Sequence, residues 1–97
     1  MDRASILAVL GARRPEFASR FGVRAISLFG SAARDQLRPD SDVDILVEFD
    51  APPTFERYFG LKDALQAALA REVDLVTPNS LKSRVRAGIE RELIRVA

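Results

Sequence analysis

Cysteine and histidine are both absent from the 97 residues of this chain. Without cysteine there can be no disulfide, thiol nucleophile or thiolate zinc site. Without histidine there can be no Ser-His-Asp triad, imidazole base or histidine-ligated metal within the chain. Any chemistry must therefore use carboxylates, hydroxyls, amides, lysine, arginine and the single tyrosine.

Long apolar runs and a large excess of either charge are also absent. No apolar run approaches the ~20 residues that a membrane span needs. The first residues, MDRASILAVLGARR, lack the basic start and long apolar stretch of a secretory signal, so we expect a cytoplasmic protein without a membrane partner. A count of 15 basic and 14 acidic residues gives a net charge of +1, so we expect no direct binding of nucleic acid.

The composition is that of an ordinary globular protein, with 47% hydrophobic and 30% charged residues, and the length predicts a single domain over residues 1–97. Apolar spacing predicts a helical segment, divided into two helices, followed by strand, short helix, strand, helix, strand and helix. The predicted helices cover residues 3–10, 15–20, 32–36 and 55–71, with a last one starting at Ser80, and the predicted strands cover residues 25–29, 43–49 and 73–77.

The connections between the predicted strands indicate a mixed sheet. About a dozen residues join the first two strands, which is too short for a full crossover, so we expect these strands to be antiparallel. The longer connection from the second strand to the third has room for a helix, which predicts a parallel pair. The fold class is therefore α/β (α+β), with a small mixed sheet of about three strands covered by helices.

Two acidic residues at the start of the second strand form the most informative motif. Asp42 and Asp44 flank Val43 and should face the same side of the strand, about 6–7 Å apart. Two neighbouring carboxylates repel each other, which raises the pKa of one of them unless a cation is present. Hard oxygen ligands in this arrangement suit Mg²⁺. The alternative is a solvated acidic loop leading into an edge strand.

Gly30 and Ser31 follow the first strand and open a helical turn. Such a turn can present backbone N–H groups to a phosphate, although an ordinary turn or helix cap would use the same residues. If the first two strands are antiparallel, this phosphate cradle faces the carboxylate pair. Arg34 projects from the same helical face as Ser31 and would reach a triphosphate, or else pair on the surface with a nearby aspartate such as Asp35 or Asp40.

Asp74 is an isolated acid in the apolar third strand. A buried acid there is unfavourable unless it is paired or close to a cation. In a parallel arrangement it would join Asp42 and Asp44 on one face, and the alternative is an ion pair with an arginine at a strand edge. The charged residues of the predicted last helix are interpreted as a solvated face, and the alternative is a role in binding a phosphate or a partner. These residues are Lys82, Arg84, Arg86, Glu90, Arg91, Glu92 and Arg95.

Taken together, Gly30-Ser31, ten intervening residues, Asp42-Val43-Asp44 and a later Asp74 resemble the DNA polymerase β-type nucleotidyltransferase superfamily. The short length and the segment LFGSAARDQLRPDSDVDILVEF are similar to its minimal members, the MNT-domain proteins, which are often antitoxins encoded beside a HEPN-domain toxin. The resemblance extends over about residues 23–94.

The resemblance implies a role for each matching residue. Gly30 and Ser31 would hold the β- and γ-phosphates of ATP, and Arg34 is at the position of the family's usual arginine. Asp42 and Asp44 would bind two Mg²⁺ ions, and Asp74 would complete the metal-binding triad and help to activate the acceptor hydroxyl.

Asp35 departs from the family, in which many members have glycine after that arginine. Because aspartate tolerates the left-handed conformation better than most residues, this turn can be retained.

The resemblance therefore implies an antitoxin that uses Mg²⁺ to transfer AMP from ATP to a tyrosine of a HEPN toxin, with which it would form a hetero-oligomer. Two alternatives stay open at this point. One is an antitoxin that neutralises its toxin by binding alone. The other is a nucleotidyltransferase acting on small molecules such as aminoglycosides, which the lack of an acceptor domain makes less favoured.

Overall fold

The computed structural model of the protein describes residues 1–81 and 88–96. The helices are α1 (Arg3–Phe21), α2 (Gly30–Ala33) and α3 (Phe55–Leu69), and a 3₁₀ turn follows at Pro78–Ser80. The strands are β1 (Val23–Phe29), β2 (Val43–Phe49), β3 (Val73–Val76) and β4 (Ile94–Arg95).

The strands form one mixed sheet in the order β3-β2-β1-β4. β1 is antiparallel to β2, and β2 is parallel to β3 across the α3 connection, as the lengths of the connections predicted. The α/β fold class with a mixed sheet is therefore confirmed. The prediction of about three strands is one short, because β4 adds to the free edge of β1.

The first two predicted helices are one continuous helix. α1 contains both Gly11 and Pro15, which were expected to end one helix and begin the next. Pro15 cannot donate a hydrogen bond to the carbonyl of Gly11, but the buried side chains on either side of this break lie on one face: Ile6, Leu10, Phe17 and Phe21. Their packing against the core outweighs the local cost of the proline.

The predicted last helix is wrong at its carboxyl end. Residues 82–87 of that prediction lie outside the described residues, and residues 88–90 are helical. Ile94 and Arg95 then form a strand, and the N–H of Val96 donates to the carbonyl of Ile26 (2.8 Å). The exposed Arg95 lies between the more buried Ile94 and Val96, which is the alternation of a strand.

One face of the sheet carries the hydrophobic core. Along β2, Val43, Ile45 and Val47 are buried and face the cluster that includes α1 and α3. The side chains between them, Asp44 among them, project from the opposite face because successive residues of a strand alternate. The core therefore fixes one face of β2 and leaves the other face available for polar groups.

The long helix α3 also departs from its predicted stripe. Thr54 caps it, as predicted, by accepting a hydrogen bond from the N–H of Arg57 (3.1 Å). Its buried residues are Leu61, Leu65 and Leu69. Phe55 and Phe59, which were expected to belong to the same stripe, are 78% and 42% exposed.

Candidate functional site

The end of β1 meets the beginning of β2 at the predicted motif. Phe29 pairs with Asp44 in the antiparallel register, so the next residue, Gly30, lies beside the Asp44 carboxyl group. Gly30 has φ +67°, and a Cβ atom added there would overlap with Oδ2 of Asp44 and lie 3.0 Å from its Cγ. Both the backbone conformation and the close approach therefore require glycine.

Asp74 lies beside Asp44 in the neighbouring strand. The two residues are partners in the parallel register of β2 and β3, so both side chains project from the face opposite the core. Asp44 is partly buried and Asp74 is exposed. Asp42 is exposed just before β2 begins, and it is close enough to act electrostatically on Asp44. The structure thus brings the three predicted acids to one region.

The charge of this region is reflected in the protonation of Asp44. Burial, followed by repulsion from Asp74 and Asp42, raises the pKa of Asp44 to about 6. The positive charge of Arg34 acts in the opposite direction without cancelling these effects. A carboxyl group held in this way gains from a nearby cation, because a cation favours its ionised form.

Ser31 lies in α2 directly after Gly30, and Arg34 is the residue that ends this helix. They line a shallow polar depression of about 570 Å³ together with Gln36, Arg38 and Ser41. Gln36, Arg38 and Ser41 were not among the predicted site residues. Arg38 adds a second guanidinium group to the wall of this depression, which makes it suitable for an anionic group.

Glu92 is the main site residue that the sequence analysis missed. Its Oε1 accepts a hydrogen bond from the N–H of Gly30 (3.0 Å), and its Oε2 accepts one from Nη1 of Arg34 (2.8 Å). These contacts hold the pKa of Glu92 below its usual range. One alternative for Arg34 was a surface ion pair with Asp35 or Asp40. In the structure its ion pair is with Glu92, which lies 58 positions away in the sequence.

The turn after Arg34 keeps the conformation that the family's glycine would provide. Asp35 has φ 58°, in the left-handed region. Its Oδ1 accepts a hydrogen bond from the N–H of Arg3 (2.9 Å), which anchors the turn to the start of α1. The departure from the family pattern at Asp35 therefore does not disrupt the turn, as its tolerance of this conformation predicted.

Arg71 holds the loop that leads to Asp42. Its guanidinium group donates to the carbonyls of Arg38 and of Ser41, the latter at 2.8 Å. The N–H of Val43 donates to the carbonyl of Glu72 (2.9 Å), which fixes the start of β2 next to β3. The position of Asp42 thus depends on a residue that precedes β3.

Over residues 13–96, the sequence matches the family described as nucleotidyltransferase domain. The chain belongs to this family. It is 43% identical over 91 residues to the protein named protein adenylyltransferase MntA from Thermococcus cleftensis, and the match covers 94% of this chain and 92% of that protein.

Solved structures of nucleotidyltransferases share the fold. One, provisionally described as a minimal nucleotidyltransferase, is 38% identical with a TM-score of 0.76, and the match covers 97% of this chain and 95% of that chain. A toxin–antitoxin structure with AMP-PNP is 21% identical with a TM-score of 0.72, over 90% of this chain and 72% of that one.

A third structure is a complex of a tri-AMPylated HEPN toxin with an MNT antitoxin from Shewanella oneidensis. It is 19% identical with a TM-score of 0.66, over 94% of this chain and 71% of that chain. At these identities, the two toxin–antitoxin complexes show that the nucleotidyltransferase fold is shared.

The acidic region of this nucleotidyltransferase fits a magnesium ion by its chemistry. Within residues 1–81 and 88–96, no three acidic side chains are already arranged to hold a metal. Mg²⁺, however, is commonly bound by one or two carboxylates together with the phosphates of a substrate. The pair Asp44 and Asp74 offers such carboxylates, and a cation between them would favour the ionised form of Asp44, whose pKa is raised first by burial and then by repulsion from Asp74 and Asp42.

A larger cavity of about 750 Å³ lies at the other end of β2 and β3. Its lining includes Phe49, Pro52, Phe55, Tyr58 and Phe59. The hydroxyl of Tyr58 donates to the carbonyl of Leu75, so this side chain covers part of the edge strand β3. The cavity contains none of the predicted site residues.

In the described part of the chain, none of the helices has the length and apolar character required to cross a membrane.

Proposed function

We propose that this nucleotidyltransferase is the antitoxin of a HEPN toxin and uses Mg²⁺ to transfer AMP from ATP to a tyrosine of that toxin. The observation that carries the proposal is the contact of Gly30 with Asp44, which itself lies in register with Asp74. This arrangement places a backbone that can approach phosphate beside two carboxylates. The relative named protein adenylyltransferase MntA supports the choice of a protein as the acceptor.

The nucleotide is assigned to the region between the glycine turn and the acids. Gly30, Ser31 and Arg34 hold the β- and γ-phosphates through the backbone N–H, the hydroxyl and the guanidinium group. The toxin–antitoxin structure that contains AMP-PNP has the same fold and supports an ATP-like substrate. This assignment leaves the α-phosphate facing the carboxylates.

Asp42, Asp44 and Asp74 are the proposed metal ligands and catalytic residues. Two bound Mg²⁺ ions would stabilise the entering and leaving oxygens of the reaction. The oxygen of the acceptor hydroxyl forms a bond to the α-phosphorus, and Asp74 accepts the proton that this hydroxyl loses. The bond between the α-phosphorus and the bridging oxygen breaks, and pyrophosphate leaves. No histidine is needed for these steps, in agreement with the composition.

The HEPN partner is supported by the complex of an AMPylated HEPN toxin with an MNT antitoxin, which has the same fold as this chain. In this proposal the toxin supplies the acceptor hydroxyl, and the two proteins form a hetero-oligomer.

The test is to incubate the protein with its cognate HEPN toxin, MgCl₂ and ATP labelled at the α-phosphate. We expect label on the toxin, no label when EDTA replaces MgCl₂, and none after every exposed tyrosine of the toxin is changed to phenylalanine. Asp44→Asn should abolish transfer, and the control Asp63→Asn, an exposed change on α3, should not.

The absence of label from a folded wild-type mixture would overturn the proposed catalysis. If Asp44→Asn still neutralised the toxin fully, binding alone would account for the antitoxin activity. Release of pyrophosphate with an aminoglycoside and not with the toxin would identify the small-molecule alternative.

A further inference from the structure

The side chain of Glu92 is bonded to two groups that the proposed function assigns to the phosphates of ATP. One carboxylate oxygen accepts from the Gly30 N–H at 3.0 Å, and the other accepts from the Arg34 guanidinium group at 2.8 Å. A phosphate group offers the same kind of acceptor oxygens to the same two donors. Glu92 and a phosphate therefore cannot use these donors at the same time.

The Glu92 side chain also resembles a phosphate in carrying a negative charge. The hydrogen bonds from Arg34 and Gly30 keep Glu92 ionised, as the lowered pKa of this residue indicates. Repulsion from Glu92 contributes to the raised pKa of Asp44. Glu92 thus places a negative charge beside the acids, in the position that the negatively charged triphosphate would occupy.

The Glu92 side chain can leave without unfolding its surroundings. Its backbone is fixed by the hydrogen bond from its N–H to the carbonyl of Ile89 (3.0 Å) and, two residues later, by the pairing of Ile94 with Leu28 in the sheet. The side chains of Glu92 and Arg34 are 29% and 49% exposed, so solvent and ligands reach the contact. Rotation of the side chain is enough to free both donors.

We propose that Glu92 is an internal competitor that occupies the phosphate cradle until the triphosphate of the nucleotide displaces it. This inference rests on the proposed function, because it concerns the same site. If only a fraction of the molecules have the Glu92 side chain out of the cradle, the apparent affinity for the ligand is its intrinsic affinity multiplied by that fraction. A solvent-exposed ion pair with one backbone hydrogen bond corresponds to roughly a three- to thirtyfold effect on affinity.

The experiment measures binding of AMP-PNP with MgCl₂ by calorimetry to the wild-type protein, Glu92→Gln and Glu92→Ala. We expect both variants to bind about three- to thirtyfold more tightly than the wild type. Glu56→Gln is the matched control, because it removes an exposed carboxylate from the first turn of α3, away from the site, and its affinity should not change. Circular dichroism establishes that each protein is folded.

Unchanged or weaker binding by the folded Glu92 variants, with measurable binding by the wild type, would overturn the competitor role and leave the proposed function intact. Weaker binding would mean that Glu92 positions Arg34 for the nucleotide. If the folded wild type and all variants failed to bind AMP-PNP, the proposed function itself would be overturned. In the wild type, the amide resonance of Gly30 should shift when AMP-PNP is added, and an unchanged resonance would also contradict the proposal.

Discussion

At the scale of single residues, Gly30 has the strictest local requirement in the site. Gly30→Ala places a Cβ atom against the Asp44 carboxyl group and imposes a positive φ on alanine. We expect a loss of about 1–2 kcal/mol in the free energy of unfolding from the backbone conformation alone, and a loss of AMP transfer because Asp44 must move. Urea denaturation and the transfer assay measure the two effects.

Gly11→Ala is the contrasting change for Gly30→Ala. Gly11 lies inside α1, and nothing lies within 4 Å of the Cβ position. Alanine should stabilise the helix by about 0.5–1 kcal/mol and leave AMP transfer unchanged. Equal behaviour of the two alanine variants would contradict the importance of the close approach at Gly30.

The protonation of Asp44 leads to a prediction about pH. In the folded protein its pKa is raised from 3.8 to about 6, so the folded state binds more protons than the unfolded state between these values. The contribution of Asp44 to stability is therefore present below pH 3.8 and is lost as pH rises through about 6. Asp44→Asn avoids this loss and should be more stable than the wild type at pH 7.5 by about 1 kcal/mol, after allowance for screening by solvent.

The measurement is urea denaturation in EDTA at several pH values. The advantage of Asp44→Asn should shrink as the pH is lowered from 7.5 toward 4. The control Asp63→Asn should show a difference from the wild type that does not depend on pH in this way. A constant advantage of Asp44→Asn at all pH values would show that charge repulsion is not its cause.

At the scale of secondary-structure elements, Arg71 connects the start of β3 to the loop before β2. Its guanidinium group bonds to two carbonyls of that loop, those of Arg38 and Ser41. Arg71→Ala should lower the rate of AMP transfer about tenfold, because Asp42 directly follows Ser41, and should destabilise the fold by about 1–2 kcal/mol. Single-turnover kinetics and thermal unfolding measure these effects.

Arg71→Lys tests whether the reach of the side chain matters, because both hydrogen bonds come from one nitrogen of Arg71, Nη2. Lysine keeps the charge and has several donors on one nitrogen, but its side chain is shorter, so its rate of AMP transfer should fall between those of the wild type and Arg71→Ala. Arg13→Ala is the control, since Arg13 is an exposed helix residue that pairs with Glu16. Full activity of Arg71→Ala would show that the loop holds its position without this contact.

The elements that the sequence predicted best are those with a local signal. β2 was predicted with its observed bounds, because its apolar residues alternate and turn residues precede it. The position of the Gly30 turn opposite Asp42 and Asp44 was predicted from the residues of this turn and from the short connection between the first two strands, which indicated an antiparallel pair. α1 was divided wrongly at Gly11 and Pro15, because the burial of its apolar face on both sides of the proline is a tertiary effect.

The parts that could not be predicted depend on contacts between distant residues. β4 has two residues and forms only by pairing with β1. The contacts of Glu92 with Gly30 and Arg34 span 62 and 58 positions. Nothing in the residues near Glu92 distinguishes it from a solvated glutamate on a helix. Its contacts become visible only in the structure, where the pairing of β4 with β1 brings Glu92 next to Gly30.

At the scale of the whole molecule, the two faces of the sheet have separate tasks. The face with Val43, Ile45 and Val47 is covered and stabilises the fold, whereas the face with Asp44 and Asp74 carries the proposed chemistry. Because these residues alternate along the same strands, the core positions the acids without contacting them. Charge repulsion on the open face can therefore be tolerated as long as the covered face stays intact.

This division predicts opposite results for two phenylalanine variants. Phe17 is 0% exposed in the core, and Phe17→Ala should lower the free energy of unfolding by about 3–5 kcal/mol, a large part of the total for a domain of this size. Phe55 is 78% exposed and contacts the ring of Phe59 (4.5 Å between centroids), so Phe55→Ala should change stability by about 0.5 kcal/mol. Urea denaturation compares both variants with the wild type. A large loss in Phe55→Ala would mean that Phe55 is buried in the protein in solution, for instance against a second copy, and a dependence of that loss on protein concentration would distinguish an intermolecular contact from an intramolecular one.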